Sequence, residues 1–405
     1  MTTAVAIETV VRDLQQLVRI DSQSPGPQEA EVIAWLAQRL DRPGIRTRRQ
    51  PVPGGGENLV FTVPGTGDAP RLVLSAHMDT VPVGDHWTVD PLGGELRDGA
   101  IWGRGSCDMK AGLAVAVATL EAFADGPAPP GDLVLAATVD EEGPSMRGVH
   151  ALVADGLVGG DDQVLALEPT GLRLRIAQVG LRWLELVVHG RMSHAGRAHR
   201  DGIDANHLAA LIVCELKERV GGLAGEHPLL GPPRCTAGVV HGGVATNVIP
   251  GSCRVELDVR VVPPAAPEDA TALVREIADG VIARFPGSRY ELRGLGVGRP
   301  PVVADDASPI VQGLRAAWEE VHDGARLPQG GEDGHEAYTD ASMIAALTGS
   351  RSSTVWGPGL PKHAHVADEH VTVEQLETAV RVLERLVAAW GTPISGRTPE
   401  QEDRP

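Results

Sequence analysis

The chain has 405 residues and a formal net charge of −18, from 54 acidic and 36 basic side chains. This acidity argues against nucleic-acid binding, which requires a basic surface that displaces counterions, and against docking on anionic lipids. With 42% hydrophobic and 22% charged residues, the composition is typical of a soluble globular protein of two or three domains. Because only seven Trp, three Phe and two Tyr are present, its core must be mainly aliphatic.

The N-terminal residues show no basic segment followed by an apolar one, so we expect no secretory signal. No window approaches the roughly 18 uncharged apolar residues that span a bilayer. The four cysteines contain no C-x-x-C pair, which argues against a zinc knuckle or a disulfide framework. We therefore expect a cytoplasmic protein with reduced thiols.

The first part of the chain alternates helix and strand patterns. Helices are predicted at 5–20, 29–40 and 111–123. Strands are predicted at 59–63, 72–76, 133–139 and 164–167. Because these strands are continuous aliphatic runs separated by helices, they predict an α/β domain whose sheet is buried on both faces.

From about residue 178 the pattern changes. The predicted elements are a strand at 181–188, a helix at 205–220, strands at 236–240 and 253–262, a helix at 268–285 and a strand at 289–292. The order β-α-β-β-α-β is that of a compact, ferredoxin-like α+β unit. We therefore predict a domain at 178–294 inserted into an α/β domain formed by 1–177 and 295–405. The latter includes helices at 309–320 and 373–390, and a tail from residue 392 that is expected to fray.

Three of the predicted strands end at a histidine or a carboxylate. His77 and Asp79 follow one strand, Glu141 and Glu142 follow another, and Glu168 follows a third. The carboxyl ends of the strands in an open α/β sheet meet at one crevice, where ligands bind. We therefore expect these side chains to lie close together.

A loop at 103–108 adds Asp108, just before a predicted helix. Five carboxylates and a histidine in one crevice would repel each other, and one or two divalent cations would relieve that repulsion. Taken singly, each residue has an ordinary alternative, namely a solvated surface position or, for Asp108, a helix N-cap.

Motifs for other chemistries are incomplete. A dinucleotide-binding fingerprint would need its third Gly where Asp108 stands, which disfavours a dinucleotide-dependent enzyme. His335-Glu336 is followed by Thr339 where a gluzincin needs its second His. Neither a Gly-x-Ser-x-Gly motif nor a P-loop occurs.

Five short motifs stand in a fixed order along the chain. They are SAHMDTVP at 75–82, GRGSCDMK at 103–110, DEEG at 140–143, EPT at 168–170 and HVADE at 365–369. In sequence and order they resemble the M20 metallopeptidase family, which includes acetylornithine deacetylase, succinyl-diaminopimelate desuccinylase, aminoacylase and glutamate carboxypeptidase. The resemblance covers nearly the whole chain. It implies a di-zinc exopeptidase-like catalytic domain with a central mixed sheet, plus an inserted lid domain.

The resemblance also implies two zinc ions, for which cobalt or manganese could substitute. Their ligands would be His77, Asp108, Glu142, Glu168 and His365. One ion would be bound by His77 and Glu168, and the other by Glu142 and His365. Asp108 would bridge the two.

Two further residues in these motifs would serve catalysis. Asp79 would accept a hydrogen bond from His77 and fix the tautomer of its ring. Glu141 would be the general base, taking a proton from a metal-activated water and passing it to the leaving nitrogen. His363 competes with His365 as a ligand, but the spacing that follows His365 matches the family.

The inserted domain carries candidate substrate contacts. Ser193-His194-Ala195-Gly196 resembles the lid motif of the family, in which His194 would stabilise the oxyanion, in dimeric relatives from the partner subunit. Asn247 and Arg260 resemble residues that hold the substrate carboxylate, although an ion pair on the sheet surface is the ordinary alternative for Arg260. Outside this domain, Thr339 is a further candidate contact, in a stretch that resembles Gly-Thr-Asp-Ala of the family.

The resemblance implies hydrolysis of the amide bond of an N-acyl amino acid or small peptide with a free carboxylate, by a homodimer formed through the inserted domain. Two alternatives stay open: a non-catalytic metal-binding or regulatory member of the fold, and a C-terminal-glutamate carboxypeptidase or dipeptidase. The step from His194 to Gly202 resembles the carboxypeptidases, whereas Trp356–Gly359 resembles the deacetylases. The role of residues 329–337 also stays open.

Overall fold

A computed structural model describes residues 5–24, 29–330 and 337–391. Most of the segment 329–337 and the tail from 392 therefore lie outside the described residues. The chain forms two compact units. Within the described residues, the first comprises the chain up to Ile176, 304–330 and Thr339 to 391, and the second comprises Ala177–Val303 with 337–338.

The first unit is built on a six-stranded mixed sheet. In spatial order its strands are Arg46–Pro51, Glu57–Val63, Leu133–Thr138, Leu72–His77, Gln163–Ala166 and Ser353–Val355. The last four are parallel to one another, and the first two pair antiparallel. Every residue of Leu72–His77 and Leu133–Thr138 is buried, as the continuous aliphatic runs predict.

Helices cover this sheet. They are Ile7–Arg19, Glu29–Arg39, Lys110–Ala124, Arg147–Ala154, Pro309–Val321, Asp340–Thr348 and Val373–Ala388. Lys110–Ala124 is rich in Ala and Val, and it is buried on almost every side because it is apolar all round. A small sheet of His370–Thr372, Ala100–Trp102 and Glu95–Arg97 and a 3₁₀ turn at Pro361–His363 complete the unit.

The second unit has an antiparallel four-stranded sheet. Its strands, in spatial order, are Arg234–Gly242, Ser252–Val261, Gly180–His189 and Arg289–Gly294. The helices Ala205–Arg219 and Pro267–Ala283 form an apolar core with alternate residues of the strands. This is the predicted β-α-β-β-α-β arrangement. Smaller elements are Ser193–His194 paired with Val248–Ile249, a helix at Ala198–Asp201 and 3₁₀ turns at Ala195–Arg197 and Val220–Leu223.

The second unit extends to Val303, beyond the boundary at 294 predicted from the sequence. Val302–Val303 pairs antiparallel with Ala177–Gln178, so the two ends of the unit lie side by side. In the described part of the chain, every helix is too short or too polar to cross a bilayer.

Candidate metal centre

The parallel strands of the first unit bring the predicted residues to one edge of the sheet. His77 is the last residue of its strand, Glu141 and Glu142 follow Leu133–Thr138, and Glu168 follows Gln163–Ala166. Because these strands are parallel, their carboxyl ends share an edge. The segment that follows Pro361–His363 brings His365 to the same place.

Asp108 lies at the centre of this cluster. Its Oδ1 lies 3.2 Å from Nε2 of His77, and its Oδ2 lies 3.2 Å from Nε2 of His365. Nε2 of His365 is also 2.9 Å from Oε1 of Glu142. One carboxylate thus faces two separate imidazoles, which is the arrangement expected of a ligand that bridges two ions.

Two more carboxylates face His77. Oε2 of Glu141 and Oε2 of Glu168 each lie 3.9 Å from its Nε2. The ligand atoms of His77, Asp108 and Glu142 lie within 4.8 Å of one another. Imidazole nitrogens and carboxylate oxygens are ligands that zinc, cobalt and manganese accept, so this donor set fits a divalent metal ion.

The electrostatics of the cluster also suit a cation. Burial lowers the pKa of His365, but hydrogen bonds to Asp108 and Glu142 outweigh it and raise that pKa to about 11. Burial opposes the charging of His77 too, yet Glu168 and the other facing carboxylates raise its pKa well above the usual value. Burial likewise raises the pKa of Glu168 well above its ordinary value. The cluster therefore attracts positive charge strongly, whether protons or metal ions.

Asp79 is fully buried and contacts both His77 and the loop that carries Glu141 and Glu142. Its carboxylate accepts hydrogen bonds from the main-chain N–H groups of Glu141 (3.2 Å) and Glu142 (3.1 Å). The ring Nδ1 of His77 lies 2.8 Å from the main-chain carbonyl oxygen of Asp79 and 3.7 Å from its carboxylate. The hydrogen bond from His77 to Asp79 is thus made to the main-chain carbonyl rather than to the carboxylate, and it directs Nε2 towards the cluster. Burial raises the pKa of Asp79 to about 7.

The loop that carries Asp108 is tightly constrained. Gly105 has a φ of +82°, and a Cβ there would lie 2.7 Å from Cγ2 of Thr80. The helix that follows begins at Lys110 with Met109 as its N-cap residue, so the N-cap alternative for Asp108 is wrong.

The ring of His363, the competing ligand, lies against that of His370, with centroids 4.0 Å apart.

Sequence reasoning assigned no role to Glu369, although it falls within the last motif. This side chain is fully buried and pairs with Arg104. Its Oε1 accepts hydrogen bonds from the main-chain N–H groups of Cys107 and Asp108, both at 2.9 Å. Its place four residues after His365 is the one signal that could have indicated it.

In the second unit, two candidate substrate contacts are neighbours. His194 is exposed, and its Nδ1 accepts a hydrogen bond from the N–H of Gly196 (3.1 Å). His194 pairs with Val248, and the carbonyl of Asn247 accepts a hydrogen bond from the N–H of Ala195 (3.0 Å). The small sheet therefore brings His194 and Asn247 together.

The other two candidates occupy structural positions. The guanidinium of Arg260 forms two hydrogen bonds, of 2.7 and 2.8 Å, with the carboxylate of Asp258, two residues earlier on the same strand. This is the sheet-surface ion pair considered as its alternative. Thr339, in the first unit, is 2% exposed and is the N-cap residue of Asp340–Thr348.

Comparison with known proteins places the chain in a family. The family model for peptidase family M20/M25/M40 matches residues 73–389. N-acetyl-L-citrulline deacetylase of Xanthomonas campestris pv. campestris is 29% identical over 392 residues, which are 94% of this chain and 98% of the relative. Succinyl-diaminopimelate desuccinylase of Stenotrophomonas maltophilia is 32% identical over 372 residues, which are 89% of this chain and 94% of the relative.

Solved structures share the fold. An aminopeptidase of Bacillus cereus superposes with a TM-score of 0.76 at 22% identity and covers 95% of this chain and 98% of its own. A dinuclear metal-binding M20 peptidase of Bacillus subtilis superposes with a TM-score of 0.68 at 16% identity and covers 94% of this chain and 97% of its own. The predicted α/β fold with an inserted domain is confirmed. The chain belongs to peptidase family M20/M25/M40 and is a hydrolase.

Proposed function

We propose that this hydrolase cleaves the amide bond of an N-acyl amino acid that bears a free carboxylate. The observation that carries the proposal is Asp108, whose two carboxylate oxygens each face an imidazole, at 3.2 Å, with Glu141 beside them. A deacylase is favoured over a peptidase because the relatives that match along the chain at about 30% identity are a deacetylase and a desuccinylase. The peptidase structures share at most 22% identity, which speaks for the fold alone.

Two zinc ions fit the cluster, with cobalt or manganese as substitutes. His77 and Glu168 would hold one, Glu142 and His365 the other, and Asp108 would bridge them. Such a pair of ions polarises a carbonyl oxygen and lowers the pKa of a water molecule.

Glu141 is the general base in this proposal. It neighbours the ligand Glu142 in the chain, its carboxylate lies 3.9 Å from Nε2 of His77, and it is 6% exposed. The hydrogen bond from its main-chain N–H to Asp79 fixes the backbone from which the side chain extends. Glu141 takes a proton from water and delivers it to the leaving nitrogen.

The second unit recognises the substrate. His194 and Asn247, adjacent and exposed, offer an imidazole and an amide to the polarised carbonyl and to the substrate carboxylate. Arg260 adds a guanidinium fork that suits a carboxylate, and for that it must share or leave its pairing with Asp258. Thr339 stays a candidate contact in the first unit.

We also propose a cytoplasmic homodimer formed through the second unit. The strand Arg234–Gly242 lies at the edge of its sheet, and Met192, Val240 and Val244 nearby expose 58%, 58% and 76% of their surface. Exposed edges and apolar side chains of this kind are commonly covered by a partner. The four cysteines are free, which suits a reducing compartment. Light scattering of the purified protein would measure its mass, and a monomer across micromolar concentrations contradicts the dimer.

The decisive experiment assays metal-loaded protein on acetyl, succinyl, formyl and glutamyl amino acids and on dipeptides. We expect turnover on at least one N-acyl amino acid. Turnover confined to dipeptides or to C-terminal glutamate would favour a peptidase, and metal binding without turnover on any substrate would favour a non-catalytic protein.

Glu141→Gln tests the general base. Because Gln cannot accept the proton, we expect kcat to fall about 10²–10⁴-fold while the bound metal stays unchanged. Glu95→Gln, an exposed carboxylate of the same unit, is the matched control and should behave as the wild type. Near-normal kcat in Glu141→Gln removes Glu141 as the base.

A further inference from the structure

Glu369 is a buried carboxylate that is not itself within the cluster. It lies four residues after His365 and directly before the strand His370–Thr372, and it is 0% exposed. A carboxylate in such a place is costly unless donors surround it, so its partners indicate what it does.

Those partners all belong to the loop that ends at Asp108. Oε1 of Glu369 accepts from the main-chain N–H groups of Cys107 and Asp108 at 2.9 Å, and Oε2 accepts from the guanidinium of Arg104. Its main-chain carbonyl accepts from the N–H of Gly103 (2.9 Å) and from Oγ of Ser106 (3.2 Å). One residue therefore accepts five hydrogen bonds from this loop.

These bonds close a ring through the cluster. The ring runs along the chain from His365 to Glu369, across the 2.9 Å bond to the N–H of Asp108, and back from Oδ2 of Asp108 to Nε2 of His365 at 3.2 Å. One buried side chain thus links the backbone of Asp108 to the chain segment that carries His365.

We propose that Glu369 is a positioning residue that fixes Asp108 relative to His365, so that one carboxylate can span two metal ions. The inference rests on the proposed di-metal function. A carboxylate suits this task because both of its oxygens accept hydrogen bonds. The side-chain amide of Gln would instead point its NH2 group at the donors of Arg104 or at those of the loop, and donors facing each other cannot form a hydrogen bond. Arg104 is 3% exposed and holds the second oxygen, which leaves the first for the loop.

The test is Glu369→Gln in the full-length protein, with Asp162→Asn as the matched control. Asp162 is also buried, 5% exposed, and accepts from Nε of Arg71 (2.7 Å) and from the N–H of Gly159 (2.8 Å). It precedes the strand Gln163–Ala166, whereas Glu168 follows that strand, so it lies at the end away from the cluster. Both variants lose one buried ionic interaction, and only Glu369→Gln disturbs the ring.

The measurement is the zinc retained against graded chelator, together with the visible spectrum of the cobalt-loaded protein. We expect Glu369→Gln to weaken binding of at least one ion about 10–100-fold and to change the cobalt spectrum. Asp162→Asn should bind both ions as the wild type does, even if its melting temperature falls equally. If Glu369→Gln does not fold, Glu369→Asp keeps the charge but withdraws it from the loop and should give the same weakening.

Wild-type affinity and spectrum in the folded Glu369 variant would overturn the proposal, as would an equal loss of metal in Asp162→Asn. Because the readout is metal binding, it does not depend on a substrate. A wild type that binds two ions but hydrolyses nothing would refute the proposed function and leave the role of Glu369 standing.

Discussion

Lys110 is a charged residue that the fold buries almost completely, with 1% of its surface exposed. It begins the helix Lys110–Ala124, and its Nζ donates to the main-chain carbonyls of Leu17 (2.9 Å) and Ile20 (2.8 Å), at the end of Ile7–Arg19. Burial lowers the pKa of Lys110 to about 7, against the opposing attraction of Glu369 and two aspartates. These two hydrogen bonds connect the start of Lys110–Ala124 to the end of Ile7–Arg19. Burying the ammonium group costs desolvation free energy.

This lowered pKa predicts how stability depends on pH. Between pH 7 and the unfolded value of 10.5, the unfolded chain keeps a proton that the folded chain has released. The free energy of unfolding therefore rises with pH in this window, by at most about 1.4 kcal/mol per unit, relative to Lys110→Met, which lacks the titrating group. Urea unfolding of both proteins from pH 7 to 10 measures the difference. A difference that is flat or falls with pH contradicts the shift.

At this scale the sequence predicted the side chains that meet, because each follows an aliphatic strand or belongs to a motif. His77, Asp108, Glu142 and His365 lie together in the structure. The supporting residues Glu369, Arg104 and Lys110 also stand in the motifs, but their roles escaped prediction because a charged residue looks the same in a sequence whether it is solvated or buried. Their roles depend on contacts between residues far apart in the chain, such as 265 positions between Arg104 and Glu369.

At the scale of elements, the sequence predicted most of the buried strands and the long helices, since their apolar pattern is strong. It missed the buried strand Ser353–Val355, which is only three residues long. It missed Arg46–Pro51, which carries three arginines and is mostly exposed, because a polar edge strand has no alternating pattern. It also missed the short helices Arg147–Ala154 and Asp340–Thr348, whose formation depends on packing against the sheet. The missed helix at Asp340 holds Thr339 at its N-terminus.

Close packing of one helix on the sheet gives a prediction about Gly112. A Cβ at this position would lie 2.1 Å from the carbonyl oxygen of Leu167, the residue before Glu168. Gly112→Ala must therefore push the helix Lys110–Ala124 away from that backbone. We expect the free energy of unfolding of the first unit to fall by about 1–3 kcal/mol. We also expect the variant to bind metal more weakly, because the displaced backbone carries Glu168.

Gly280→Ala is the matched control for this change. Gly280 lies within the helix Pro267–Ala283, is exposed, and has open space where a Cβ would be. Alanine there should stabilise the second unit by roughly 0.5–1 kcal/mol through helix propensity. Calorimetry and metal content measure both variants. Gly112→Ala with unchanged melting and metal content would contradict the close approach.

At the scale of the whole molecule, the acidity of the chain is unevenly distributed. Residues 177–303, the bulk of the second unit, contain 14 Lys and Arg and 13 Asp and Glu, whereas the rest of the chain contains 22 and 41. The unit that holds the carboxylate cluster is thus the acidic one. An anionic substrate would be repelled by it at long range, so the proposed function requires a local attraction, from the proposed metal ions and from the proposed contact Arg260.

Because the chain divides into two units, we predict that most of the second one can be removed. The N–H of Ala304 donates to the carbonyl of Ile176 at 2.7 Å, so the ends left by deleting 177–303 are already neighbours. A short Gly-Ser linker can join them without strain. All five predicted ligands, His77, Asp108, Glu142, Glu168 and His365, stay in the shortened chain, whereas His194, Asn247 and Arg260 are lost.

We expect this deletion variant to bind two metal ions with affinity near that of the full chain, because the cluster is built wholly from the first unit. Its kcat/KM on the preferred N-acyl amino acid should fall at least about 100-fold, since the groups proposed to hold the substrate are gone. Metal content, kcat/KM and the near-UV spectrum of the variant measure this separation. Full activity would exclude a catalytic role for residues 177–303, and loss of metal from a folded variant would show that the first unit alone does not form the site.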